Sequence, residues 1–269
     1  MLFGAHERLD APGPWGAVSG RLRPTPALAP ISQFERMVEA AAVPRSPPRQ
    51  EMLGLLLGTT LPPSEGDKSS LNSLWAQEAM HRAYSLVRLF ARLERSAPLC
   101  ASDLRAADLE QRLARDLAAT LRMLDIRGDS EVLSCSTVLR TLVRDLVELF
   151  GPVARIMRVN TYIEPLALPA HQRRALVLAA FALLSAALCE ASALSGARDV
   201  SVTLRTGPAR GLLRMTFDGA PLPLDESLEP NGIVADLASL LESEPVPRID
   251  ADGASTVEIA FPLPSLARR

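Results

Sequence analysis

Residues 78–90 read EAMHRAYSLVRLF, and the spacing of their apolar side chains decides how the first half of the chain folds. On a helical wheel of about 100° per residue, Trp75, Ala79, Ala83, Leu86, Phe90 and Leu93 fall on one stripe. The stripe predicts one long amphipathic helix from Leu71 to Ala97, broken at SAPLCAS. Ser102 and Asp103 offer N-caps for a second helix running to Met123 or Ile126, before RGD. Two long helices joined by a short connection predict an antiparallel hairpin, which is half of a four-helix bundle and needs a partner surface. His81 lies about 140° to 200° from the stripe. It is expected to point outward, on a face shared with Leu74, Gln77, Glu78, Tyr84, Ser85, Arg88, Arg92 and Arg95.

Before the hairpin, residues 1–70 are rich in proline, in APGPWG, RPTPALAP, PRSPPRQ and LPPSEG. Proline at this density blocks long helices and ladders, so an extended arm is expected with two short helices, 31–43 and 49–58, that dock on the body. After the hairpin the pattern becomes mixed. A helix over 136–150 carries Leu139, Leu142, Val143, Leu146 and Phe150 at helical spacing, and ARIMRVNTYIE alternates like a strand. An apolar helix from Ala170 to Leu194 follows, then the strands VSVTLRT and LLRMTFDG joined in hairpin fashion by GPARG. The helix NGIVADLASLLES and a last strand, STVEIAFPLP, complete the order. Helices on one face of a sheet give an α+β fold. The expected domains are a Pro-rich arm over 1–70, a helical hairpin over 71–128, and an α/β sandwich over 129–269.

With 48% hydrophobic residues the chain has material for a substantial core. A net charge of −2 and a pI near 6.0 supply no chain-wide basic footprint, so no nucleic-acid partner is expected. Cys100, Cys135 and Cys189 match neither a zinc spacing nor a disulfide framework and read as buried small hydrophobes of a reducing cytosol. The N-terminal stretch lacks the basic-then-apolar order of a secretory signal. Ala175–Leu188 is shorter than the ~20 residues of a span, so no membrane insertion and a cytoplasmic location are expected. His6 and His171 have no partners at catalytic spacing, and no metal site, Ser-His-Asp triad or phosphate-binding loop is evident.

The hairpin followed by this α/β order resembles the catalytic core of bacterial sensor histidine kinases, over about residues 71–264. Glu78-Ala79-Met80-His81-Arg82-Ala83-Tyr84-Ser85-Leu86 is similar to the subgroup pattern Glu-x-x-His-Arg-x-x-Asn-x-Leu, with Ser85 in place of Asn. The departures matter more. Where the family's long helix carries a Glu and an Asn for magnesium and triphosphate, this chain has Ala182 and Ala186. FDGAPLP registers on the family's Asp-Asn-Gly-x-Gly-Leu-Pro through Gly219, Leu222 and Pro223, which puts Phe217 at the adenine-binding Asp and Pro221 at the second Gly. A shift of one residue puts Asp218 at the adenine and spoils the Gly and Leu-Pro matches. The glycine pair of the ATP-lid helix is reduced to Gly232. Each lost hydrogen bond to a charged or buried ligand group is worth about 1–3 kcal/mol, and alanine cannot supply an oxygen to magnesium. The resemblance therefore implies a kinase fold without ATP binding, without a cofactor and without a metal.

What remains resembles the dimeric histidine phosphotransferases of phosphorelays, which pass phosphoryl groups between receiver-domain aspartates. His81 would be the phosphoacceptor, since imidazole is largely unprotonated and nucleophilic at neutral pH. Glu78 would fix its tautomer, and Arg82 or Arg88 would offset phosphoryl charge. Ser85 stands at the motif's Asn, and Tyr84, Arg88 and Arg92 would meet the response-regulator receiver domain. Each helix of the hairpin has an apolar stripe, so a homodimer is expected. Two rival readings are a divergent kinase that still autophosphorylates and a non-catalytic pseudokinase scaffold that regulates a response regulator.

Overall fold

A computed structural model of the chain describes residues 47–59, 70–95, 104–125, 134–154, 156–190, 198–218, 232–251 and 253–263. In chain order these form helices α1 (Pro47–Gly58), α2 (Ser70–Arg95), α3 (Leu104–Asp125) and α4 (Cys135–Ala154), strand β1 (Ile156–Ile163) and helix α5 (Ala170–Glu190). Strands β2 (Arg198–Thr206) and β3 (Arg210–Phe217), helix α6 (Ile233–Ser239), and strands β4 (Pro245–Ile249) and β5 (Ser255–Pro262) follow. The expected helix 31–43 and the caps Ser102 and Asp103 lie outside the described residues.

The sheet order is β1-β2-β3-β5-β4. Strands β1 and β2 are parallel, which requires a crossover, and α5 provides it. The other three pairings are antiparallel. Alternation sorts the faces: Val200, Val202 and Leu204, Leu213, Met215 and Phe217, and Val257, Ile259 and Phe261 are buried. Ser201, Thr203, Arg214, Thr216 and Glu258, one step out of phase, are more exposed apart from the ladder's interior. Helix α4 packs on β1, α5 on β3 and α6 on β4, so helices cover the apolar face as the sequence predicts. Gly211 sits opposite Phe261, and a methyl group there would run into the ring, so glycine admits the aromatic side chain into the inner layer.

Strand β4 is absent from the sequence-based order. Its sequence PVPRI has two prolines in five residues. An edge strand tolerates them because one side of it needs no ladder donors. Helix α6 is also shorter than expected, ending at a turn in which Glu242 has φ 54°.

The predicted hairpin is the main correction. Helices α2 and α3 form with nearly the expected bounds, yet they pack less on each other than on third parties. Helix α1 lies against both, α4 packs on α3, and α5 packs along α2. Helices α1, α4 and α5 thus cover apolar side chains of α2 and α3. Leu86 and Phe90 are buried, with the Phe90 ring edge-on to Phe150 of α4 at 5.5 Å between centroids. One core cluster runs from Met52 to Phe261, across the boundary at residue 128.

Helix α5 is apolar on all sides, which is the pattern of a helix buried on all sides. By length and composition Ala170–Cys189 could cross a membrane, contrary to the sequence-based estimate of its length. In the fold, 78% of its most apolar window is buried among α2, α4, α6 and the sheet. Cys135 and Cys189 are buried free thiols, and burial pushes Cys135 up to about 12. Cys100 lies outside the described residues.

Candidate functional site

Helix α2 lies along α5 in the same direction, fixed at two levels. Near its start the guanidinium of Arg174 stacks over the Trp75 ring at 4.4 Å. Further on, the Cys189 thiol donates to the Ser85 carbonyl at 4.0 Å. Between these levels the sector holding Glu78 and Arg82 is enclosed, and the two are only 2% and 1% exposed. Their side chains form an i,i+4 ion pair, Arg82 Nε to Glu78 Oε1 at 3.4 Å. Ser85 is buried one turn later.

His81 stands at the margin of this enclosed sector and is half-buried. The expected outward orientation is therefore met only in part. Burial lowers its pKa from 6.5 to about 4, and the nearby positive charge of Arg88 adds to the effect. The imidazole is neutral at pH 7. Tyr84 and Arg88 are exposed, with the guanidinium 5.6 Å from the ring centroid, and Arg92 one turn on is half-buried.

Of the residues predicted to act with His81, three face the interior. Glu78 was expected to orient the imidazole, but its carboxylate is directed at Arg82. Arg82 was expected to meet phosphoryl charge, but it is sealed from solvent. Ser85 is covered by the end of α5. A wheel drawn around one stripe missed this, because α2 is surrounded by α1, α4, α5 and α6 and buries an arc of about 200°. Tyr84, Arg88 and His81 itself stay near the surface.

The second predicted site, the degenerate nucleotide pocket, is built on α5. Ala182 is buried and Ala186 half-buried. Between Arg174 and Glu190 the only polar side chains are Ser185 and Cys189. The Ser185 hydroxyl donates to the Ala182 carbonyl at 3.0 Å, and the Cys189 thiol is spent on Ser85. The one side-chain oxygen of this stretch, Ser185 Oγ, is fully buried, so the stretch offers no accessible oxygen to a magnesium ion. Phe217 ends β3 on the inner face and is buried. Asp218 is exposed, its amide donating to the Asp199 carbonyl at 2.9 Å. Gly219 lies outside the described residues. Gly232 is the N-cap of α6 with φ −78°, a conformation any residue adopts. Of Ala182, Ala186, Phe217, Asp218 and Gly232, only Asp218, just past β3, carries a side-chain oxygen. Among the described residues no group of three or more His, Cys, Asp or Glu side chains could hold a metal. A cleft of about 810 Å³ opens at the α6–β4 corner, lined in part by Arg210, Ser243, Val246, Arg248 and Glu258, and contains none of the predicted site residues.

Sequence reasoning missed Arg174 and Cys189, which fasten α2 to α5. Their signal was present only in the pairing of two helices, since neither residue is distinctive within its own segment.

No protein-family model matches the chain, and no curated protein matches it. Solved structures do. The histidine kinase domain of the blue-light activated histidine kinase EL346 from Erythrobacter litoralis matches with a TM-score of 0.51 and 18% identity, over 80% of this chain and 96% of that domain. The Acinetobacter baumannii histidine kinase AdeS matches with a TM-score of 0.38 and 13% identity, over 81% of this chain and 95% of that one. The first of these shows that the chain has a histidine-kinase-like fold.

Proposed function

We propose that the chain is a two-component signalling protein that exchanges phosphoryl groups with the aspartate of a response-regulator receiver domain through His81, without binding ATP. The observation that carries the reading is the composition of α5. Two alanines stand where the resemblance expects magnesium and triphosphate ligands, and the helix's two polar side chains are committed to its own packing. Phe217 in the core beside α5 removes the adenine-binding carboxylate as well.

The chain's own residues support transfer at His81 in a limited way. A neutral imidazole carries the lone pair that attacks an aspartyl phosphate. As the N–P bond forms, the acyl phosphate's bond to phosphorus breaks and the receiver's carboxylate leaves. The exposed Tyr84–Arg88 pair and Arg92 present positive charge for an acidic receiver pocket to meet. Glu78, Arg82 and Ser85 are assigned to holding α2 on α5 rather than to the chemistry.

The interior placement of those three favours one second reading, a non-catalytic scaffold that regulates a response regulator and for which His81 is dispensable. Phosphotransfer from a phosphorylated receiver separates the two. Acid-labile label on wild type and none on His81→Gln supports the acceptor; label on neither supports the scaffold. Calorimetry with magnesium-ATP addresses the remaining alternative, a divergent active kinase. A dissociation constant below about 100 μM, roughly −5.5 kcal/mol, would favour that alternative.

A further inference from the structure

We propose that the cleft at the α6–β4 corner is a docking groove for an extended polypeptide segment carrying a cationic side chain and a carboxylate about three residues apart, with small apolar side chains between them. The cleft of about 810 Å³ contains none of the residues assigned to phosphotransfer. Its floor is the sheet face opposite α4, α5 and α6. Along β5 that face presents Glu258, Ala260 and Pro262 at steps of about 7 Å. The register places Arg210 of β3 across from Pro262 and Arg214 across from Glu258, with Val246 of β4 on the other flank of Glu258. Ala260, Pro262 and the half-exposed Val246 make a small apolar strip along the groove.

The wall on the α6 side holds a strained residue. Helix α6 ends with the Glu242 amide donating to the Ser239 carbonyl at 3.0 Å and the Ser243 amide donating to the Ala238 carbonyl at 3.1 Å. This pair of bonds belongs to a helix end in which a left-handed residue, usually glycine, follows the last turn. Here that residue is Glu242, with φ 54°, the one non-glycine of positive φ among the described residues. The conformation favours glycine or asparagine, so the local backbone gives no reason for a carboxylate. The position lines the cleft together with Glu244. Between the two, Ser243 Oγ donates to the Ala260 carbonyl at 2.7 Å and fastens the wall to the floor.

Charge is divided across the groove. Glu258 forms ion pairs with both Arg214 and Arg248. Glu242, Glu244 and Arg210 are exposed and form no ion pair among the described residues. The two carboxylates stand on the β4 side and the guanidinium on β3, two strands away, which is about 10 Å. An extended chain advances about 3.4 Å per residue, so a Lys or Arg over the carboxylates brings an Asp or Glu over Arg210 about three residues later. The fork of the Arg210 guanidinium suits that carboxylate. A nucleic acid is disfavoured, because Glu242 and Glu244 repel its phosphates.

The test titrates the full chain with a capped peptide, acetyl-Ala-Lys-Ala-Ala-Glu-Ala-amide, and follows backbone amides by NMR. Saturable shifts are expected at Arg210, Glu242, Ser243, Glu244, Val246 and Ala260, with a dissociation constant of about 1 mM or tighter. Glu242→Asn, which the left-handed backbone accepts, is expected to keep or raise the melting temperature while weakening binding about fivefold, and Arg210→Gln to weaken it by a similar factor. Peptides in which Gln replaces either the Lys or the Glu are expected to bind about fivefold more weakly than the parent. Equal affinity for parent and single-charge peptides, unchanged binding in either variant, shifts confined to other surfaces, or no saturable shift up to about 10 mM would overturn the proposal. So would a single-stranded oligonucleotide that moves the same amides in the peptide's place.

Discussion

The half-buried His81 makes a quantitative demand on stability below neutral pH. Its folded value of about 4 lies under the ordinary 6.5 of an unfolded histidine. The unfolded chain therefore takes up the proton first as pH falls, and His81 lends the native state a contribution that is complete above pH 6.5 and is lost as pH falls toward 4. Integrating proton uptake between the two values gives a loss of about 2 kcal/mol from pH 7.5 to pH 5, approaching about 3 kcal/mol lower still. Carboxylates also titrate in acid, so the measurement is a difference: urea unfolding of wild type and His81→Gln at both pH values. Wild type should lose about 2 kcal/mol more than the variant. NMR titration of the imidazole should place its midpoint well below 6. A midpoint near 6.5, or parallel acid losses in the two proteins, would refute the burial argument and return His81 to the open surface.

Other perturbations probe separate features. Glu78→Ala leaves the Arg82 guanidinium enclosed without this carboxylate and should cost about 3–5 kcal/mol in chemical denaturation, whereas an exposed pair would cost under about 1 kcal/mol. Gly211→Ala drives a methyl group into the buried Phe261 ring and should destabilise by about 1–3 kcal/mol; a neutral result would mean that the ring has room to move. Arg88→Glu should slow association with a receiver domain and flatten its salt dependence while leaving the folded-state melting temperature almost unchanged, because the side chain lies at the surface. Equal association rates for Arg88→Glu and wild type across a salt series would remove the steering role.

Much of the architecture could be read from pattern alone because it rests on strong local periodicity. The uniform apolar run of α5, the alternation of β2, β3 and β5, and the stripes of α2 and α3 each reflect burial that the element's own sequence must satisfy. What could not be read was set by partners. Helix α1 is legible as a short helix that docks on the body, but with twelve residues, a glycine inside and little sidedness, nothing local names α2 and α3 as what it meets. The prolines of β4 argue against a strand until its edge position is known. For the candidate site, the chain order and the resemblance singled out His81 and the alanines of α5 as candidates. The burial of Glu78, Arg82 and Ser85 goes with the packing of α2 along α5, which Arg174 on Trp75 and Cys189 on Ser85 mark from about one hundred positions away and which no wheel shows.

The prolines of β4 also govern how the sheet can meet the rest of the cell. Pro245 and Pro247 are two apart on the outermost strand, so their nitrogens share the side that faces away from β5. That border exposes carbonyl oxygens but no amide hydrogens until Ile249. An incoming extended segment needs donors and acceptors in alternation, and here it would find a one-sided and therefore poor template. Runaway fibril growth and peptide capture by strand addition are both discouraged along this rim.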